Sequence, residues 1–162
     1  MQDTHYKGLT VAHTRNGQGI FTTHDIKPEQ IVFAILGVRK HYTTLLERGG
    51  TFLDNCFRIS ENYYLSPEGH IGVYLNHSCE PNAKVVKNGQ KLFVYTITHL
   101  PKGAEVLIDY STITASDDIW TMRCNCGAAT CRKIIRNFSK LPVGLQQKYK
   151  NTHIVPQYIV NL

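Results

Sequence analysis

Tyr74-Leu75-Asn76-His77-Ser78-Cys79-Glu80-Pro81-Asn82 packs polar side chains directly behind an apolar stretch. On a strand, His77 and Cys79 share a face because they are two residues apart. Three readings compete for them. Cys79 as a thiolate with His77 as its base would form a nucleophilic pair. Cys79 as a metal ligand would use the same sulfur differently. A plain polar turn, with Asn76 and Asn82 bonding nearby backbone, also suits these residue types.

Further along stands Cys124-Asn125-Cys126-Gly127-Ala128-Ala129-Thr130-Cys131, a C-x-C-x4-C cluster. Thiolates this close, with Gly127 easing the bend, can wrap one tetrahedral zinc ion. Three sulfurs do not close a structural site, so a fourth ligand must come from elsewhere. Cys79, Cys56 and a histidine are the candidates. The chain has five cysteines, an odd number, and three of them fall within eight residues. That pattern differs from a secreted disulfide framework and points to a metal site in a reducing compartment.

The 162 residues suit one domain, or a domain with a small appendage. With 42% hydrophobic and 19% charged residues, the chain reads as globular rather than disordered. A net charge of +6 first suggests nucleic acid, an anionic surface or an acidic substrate. No apolar run approaches the ~20 residues of a membrane span. The start, Met1 to Val11, carries Asp3, His5 and Lys7 and lacks a signal-peptide core. An intracellular protein is expected, cytoplasmic, nuclear or delivered into a host cell.

The first 110 residues read mainly as short strands. Leu9–Ala12 and Ile20–Thr22 flank the glycine turn Asn16-Gly17-Gln18-Gly19. Gln30–Leu36 holds the apolar run IVFAIL, which predicts a buried strand. Phe57–Ser60 and Tyr63–Leu65 are shorter candidates. Ala83–Val86 and Leu92–Ile97 flank Asn88-Gly89, which predicts a hairpin with both turn residues at positive φ. Pro101-Lys102-Gly103 reads as a turn and Glu105–Tyr110 as a further strand. Helical patterns are confined to Thr43–Arg48 and Val143–Lys150.

In order along the chain come a glycine turn, the Asn-His-Ser-Cys segment, the strand Glu105-Val-Leu-Ile-Asp-Tyr110 and the cysteine cluster. This arrangement resembles the SET-domain family of protein-lysine methyltransferases, with its C-terminal cysteine-rich "post-SET" segment. The likeness runs from about Gly17 to Arg132. Its most specific pieces are Asn76-His77-Ser78-Cys79-x-Pro81-Asn82 and Gly103-x-Glu105-x3-Asp109-Tyr110. It implies a mostly β SET fold of small curved sheets with a C-terminal pseudoknot. A zinc-binding post-SET segment and a short C-terminal helix would follow. The implied division is a SET domain over 1–122, a post-SET segment over 123–136 and a tail over 137–162 packed on the core.

The resemblance also implies a chemistry. S-adenosylmethionine would be the cofactor, lined by Asn16, Gly17, Gln18 and Gly19 through main chain, with Asn76 and His77 at its adenosine end. Glycine suits close approach of backbone to a ligand. Tyr110 matches the family's catalytic tyrosine. Cys79, Cys124, Cys126 and Cys131 match its structural zinc site, leaving Cys56 outside it. Ile35, Tyr74 and Ile108 would line the substrate channel. Ile35 and Ile108 stand where the family usually has aromatic residues, and Val73-Tyr74 replaces a frequent Arg-Phe. The implied partner is a protein presenting a lysine, histone among the possibilities, with nucleic acid not the primary ligand. Four thiolates around a divalent zinc carry a net charge of about −2, so part of the basic excess balances the metal. Two other classes stand beside this reading: a zinc-bearing nucleic-acid-binding module and an inactive SET platform. Arg123, Arg132, Lys133 and Arg136 around the knuckle motivate the first. The presence of Asn76, His77 and Tyr110 argues against the second.

Overall fold

A computed structural model describes residues 6–47, 55–118 and 120–162. Strands β1 (Leu9–Thr14) and β2 (Gly17–Thr22) form a hairpin whose tip is Arg15-Asn16. The expected strands therefore extend further toward the turn, and β2 includes Gly17-Gln18-Gly19. Strands β3 (Ile31–Ile35), β8 (Ala83–Asn88) and β9 (Lys91–Thr96) make an antiparallel sheet in the order β3-β9-β8. Strands β4 (Val38–His41), β5 (Phe57–Arg58) and β6 (Tyr63–Ser66) make another, ordered β4-β6-β5. Helix α1 (Tyr42–Glu47) follows β4 directly. Arg48, the last residue of the helix expected there, lies outside the described residues.

Three sequence readings shift. IVFAIL is not a buried run. β3 is an edge strand, so its residues alternate, with Ile31 54% exposed while Phe33 and Ile35 are buried. The β8–β9 turn lies one residue later than expected. Asn88 pairs with Lys91, so the turn residues are Gly89 and Gln90, and of these only Gly89 has positive φ, at 58°. The strand expected over Glu105–Tyr110 shortens to β10 (Leu107–Ile108). It ends because the Asp109 carboxylate accepts from Ser111 N at 3.0 Å and caps a 3₁₀ turn over Tyr110–Ile113.

One crossing positions the site. Strand β7 (Asn76–His77) pairs in parallel with β10, placing Leu107 beside Asn76 and Ile108 beside His77. Asn82 reinforces the pairing: its side chain accepts from Leu107 N and donates to Glu105 O, both at 2.8 Å. The two motifs, distant in sequence, thus lie side by side. Ile20, Leu92, Val94, Val106 and Ile108, all at 0% exposure, centre the core beneath them.

After the core, β11 (Met122–Arg123) and β12 (Ile134–Ile135) form a small antiparallel ribbon that brackets the cysteine loop. Helices α2 (Val143–Asn151) and α3 (Gln157–Val160) complete the chain. Phe138, Leu141, Tyr149, Ile154, Val155 and Ile159 build a second apolar cluster with Ala115. Tyr158 touches both clusters, and its hydroxyl donates to Arg58 O at 2.7 Å.

Candidate active site and metal centre

Tyr110 opens the 3₁₀ turn after β10. Its hydroxyl donates to Leu75 O at 2.6 Å, and its N–H donates to His77 Nδ1 at 3.1 Å. Burial, with a smaller contribution from the Glu105 charge, pushes the phenol well above its usual range. The hydroxyl is therefore neutral near pH 7. With its proton held by Leu75, it presents lone pairs to whatever stands in front of it. The Trp120 ring lies 6.2 Å from that of Tyr110. Sequence reading missed Trp120, because no motif surrounds it.

The hairpin and the Asn-His segment meet at Asn76. Its Nδ2 donates to Gln18 O at 2.9 Å and to a Glu105 carboxylate oxygen at 2.8 Å. Gly19 is buried directly behind this junction. A Cβ there would collide with the Glu105 carboxylate and come within 3.0 Å of Asn76 Nδ2. A side chain at this position would have to displace the Glu105 and Thr14 side chains for the hairpin to close. Asn16, Gly17 and Gln18 are exposed at its outer end. Of the three residues expected along a lysine channel, Ile35 and Ile108 are buried in the core at 4% and 0% exposure. Tyr74 is half-buried.

The cysteine loop folds onto Cys79. Ligand atoms of His77, Cys79, Cys124 and Cys126 lie within 4.8 Å of one another. The Cys79 and Cys124 sulfurs are 3.8 Å apart, and the Cys131 thiol interacts with both Cys124 and Cys126. Soft sulfur donors at this separation fit a tetrahedral zinc. The fourth member of that group is His77, while Cys131 lies outside it and meets it through Cys124 and Cys126. Burial holds the imidazole neutral, with its pKa lowered to about 4. Because Nδ1 accepts from Tyr110 N–H, the proton must sit on Nε2, which faces the Cys79 sulfur at 3.4 Å. A protonated Nε2 cannot ligate a metal. In that tautomer His77 is a donor to the Cys79 sulfur.

The free thiols resist ionisation unequally. Burial pushes Cys79 and Cys124 up. Burial acts the same way on Cys126, but backbone hydrogen bonds at Cys79 and Ala128, together with the Cys124 and Cys131 thiols, outweigh it and bring that thiol to about 7. A divalent ion would deprotonate all of them. Cys56 is half-buried beside Ser66 and is not among the clustered residues.

Asp109 ties these parts together. Fully buried, it accepts from Arg132 Nη2 at 2.7 Å and from the Tyr149 hydroxyl at 2.9 Å. Arg132 N also donates to Cys79 Sγ at 3.4 Å. Sequence reading placed Asp109 in a motif and assigned it no role.

The family model described as SET domain matches residues 17–111. The chain belongs to the SET-domain family. Among its relatives is "Histone-lysine N-methyltransferase set-2" of Caenorhabditis elegans, 30% identical over 139 residues that cover 78% of this chain. A protein of Cryptococcus neoformans named "Histone-lysine N-methyltransferase, H3 lysine-4 specific" is 34% identical over 72% of this chain. "Histone-lysine N-methyltransferase 2D" of Homo sapiens is 29% identical over the same share. The chain spans only 9% of the first two relatives' length and 2% of the third. The SET match ends at residue 111, so the cysteine ribbon and tail lie beyond it. Among the described residues no helix is long and apolar enough to cross a membrane.

Proposed function

We infer that this SET domain transfers a methyl group from S-adenosylmethionine to the side-chain amine of a lysine in a protein, with histones as the first substrates to try. The observation that carries this reading is the junction of Tyr110, Asn76 and the Gly17–Gly19 hairpin on the two paired motifs. When bound, S-adenosylmethionine would supply an activated methyl on a sulfonium.

The main chain of Asn16, Gly17, Gln18 and Gly19, together with Asn76, would hold it. His77 would contribute at the adenosine end through main chain, since both ring nitrogens are engaged. The fit rests on the exposed main chain of Asn16, Gly17 and Gln18 beside Asn76, whose Nδ2 ties this hairpin to the Asn-His segment through Gln18 O. A lysine of pKa ~10.4 stands about three units above neutral pH, so exposing its lone pair costs roughly 4 kcal/mol. Apolar walls lower that cost by disfavouring the ammonium. Tyr74 and Trp120, both half-buried, would supply those walls, whereas Ile35 and Ile108 are enclosed in the core. The Tyr110 hydroxyl, with its proton already placed on Leu75 O, would orient the amine through its lone pairs. Its raised pKa argues against a role as general base, so water would take the proton.

Zinc on Cys79, Cys124, Cys126 and Cys131 would be structural. It would tie residues 123–136 to the SET domain of residues 1–122, with residues 137–162 packed behind. A cytoplasmic or nuclear setting agrees with this chemistry. The test is calorimetry of zinc-loaded protein with S-adenosylmethionine, followed by labelled-methyl transfer onto histones and cell lysate. Cofactor binding and labelled lysine are expected. Absence of cofactor binding by correctly metallated protein would sink the reading.

A further inference from the structure

We propose that Glu105 is the counter-charge for the sulfonium of the cofactor and gives this chain selectivity for that cation over the neutral thioether product. The proposal rests on the methyl-transfer reading and adds a residue and a selectivity to it. Glu105 lies between the Gly103 turn and β10 and is half-buried. One carboxylate oxygen accepts from Asn76 Nδ2 at 2.8 Å and faces the space a Gly19 Cβ would fill. Its charge is also felt at the Tyr110 hydroxyl. The carboxylate thus stands among the residues of both the cofactor cradle and the transfer site.

Its surroundings lack a matching cation. Asp25, Glu29, Glu68, Asp109, Asp117 and Asp118 each pair with Lys, Arg or His, but among the described residues none lies within ion-pair distance of Glu105. A partly desolvated carboxylate without a protein cation suits a ligand that brings one. Glu105 also acts through Asn76. With both amide hydrogens given to Gln18 O and Glu105, Asn76 keeps Oδ1 as an acceptor for a donor on the ligand.

The chemistry makes the charge informative. Transfer breaks the sulfur–methyl bond, and its electron pair stays on sulfur. The amine lone pair forms the new nitrogen–methyl bond, and the new ammonium later loses its proton to water. Sulfur thereby loses its positive charge, while the amino-acid end of the cofactor is unchanged. An anion near the sulfur therefore favours the sulfonium cofactor over the neutral thioether. At several ångströms in a partly wet site, one such charge is worth roughly tenfold in affinity.

Titration calorimetry of zinc-loaded wild type, Glu105→Gln and Glu105→Ala with S-adenosylmethionine and with S-adenosylhomocysteine tests this. The Gln amide oxygen can still accept from Asn76, so Glu105→Gln isolates the charge. It should lose roughly tenfold for the sulfonium and little for the thioether. Glu105→Ala should weaken both ligands, because Asn76 is released as well. Equal losses for the two ligands in Glu105→Gln, or no loss, would overturn the proposal while leaving methyl transfer intact. Wild type that binds neither ligand would overturn both. Thermal unfolding of Glu105→Gln at the wild-type temperature shows that the comparison is made on folded protein.

Discussion

Asp109 Oδ1 lies 2.7 Å from Arg132 Nη2, so the residue before the proposed catalytic tyrosine is paired with the residue after the last cysteine. The pair fastens the cysteine ribbon to the strand crossing from inside, and Tyr149 adds helix α2 to the same carboxylate. Breaking a buried ion pair from one side leaves a charge without a partner. Arg132→Met should therefore destabilise the protein by about 3–5 kcal/mol, read as a lower urea midpoint. Adding Asp109→Asn should recover part of that loss. A single variant with wild-type stability would show that the pair is dispensable.

Metal removal should act locally. The zinc reading places four sulfurs between Cys79 and the cysteine loop, while the core cluster around Ile20, Val94 and Ile108 contains none of the loop's cysteines. Chelation should raise amide exchange at Thr130, Cys131 and Arg132 while the strands β8 and β9 stay protected. Methyl transfer should fall with it. Uniform exchange across the chain after chelation would instead make the metal part of global folding.

Tyr110→Phe removes the hydroxyl but keeps the ring that packs beside His77 and Trp120. Cofactor affinity should stay within about twofold, and turnover should drop on the order of 10²–10³-fold. Unchanged turnover would take Tyr110 out of the chemistry.

Gly19→Ala sets a methyl group against the Glu105 and Asn76 side chains at a buried position of the hairpin. Cofactor affinity should fall, because the Glu105 carboxylate must move away and give up its hydrogen bond from Asn76. Gly144→Ala, in open space on α2, serves as the control and should bind as wild type. Equal affinity in the two variants would separate Gly19 from the cradle.

Arg58, 2% exposed, holds the loop before Trp120 through Asp117 and Asp118. Its hydrogen bond to Asp117 depresses that carboxyl below its ordinary value of 3.8. A depressed acid contributes stability that is fully present above the unfolded pKa and lost as pH falls through the lower folded value. Asp117→Asn should cost about 1 kcal/mol at pH 7, since Asp117 is more than half exposed, and the difference should shrink as the pH falls below the ordinary carboxylate value. Thermal melts across pH check this. A difference independent of pH would mean that the ion pair is not its source.

Much of the site was readable from residue order alone. Asn76-His77-Ser78-Cys79, Asp109-Tyr110 and the C-x-C-x4-C cluster are short motifs whose chemistry is local, and their succession pointed to the family and to a mostly β fold. The β8–β9 hairpin was legible because Asn88-Gly89 marks a turn, although the pairing register moved it by one residue. The burial of β3 was not, because an apolar run looks the same on an edge strand and a central one. Only the three-dimensional arrangement showed that Asp109 faces Arg132 and Tyr149, that no cation among the described residues pairs with Glu105, and that His77 points a protonated nitrogen at Cys79. Those relations join segments tens of residues apart. Nothing in a local pattern records which distant charge a side chain will meet once the chain crosses itself, and that crossing settles what each polar group is left free to bind.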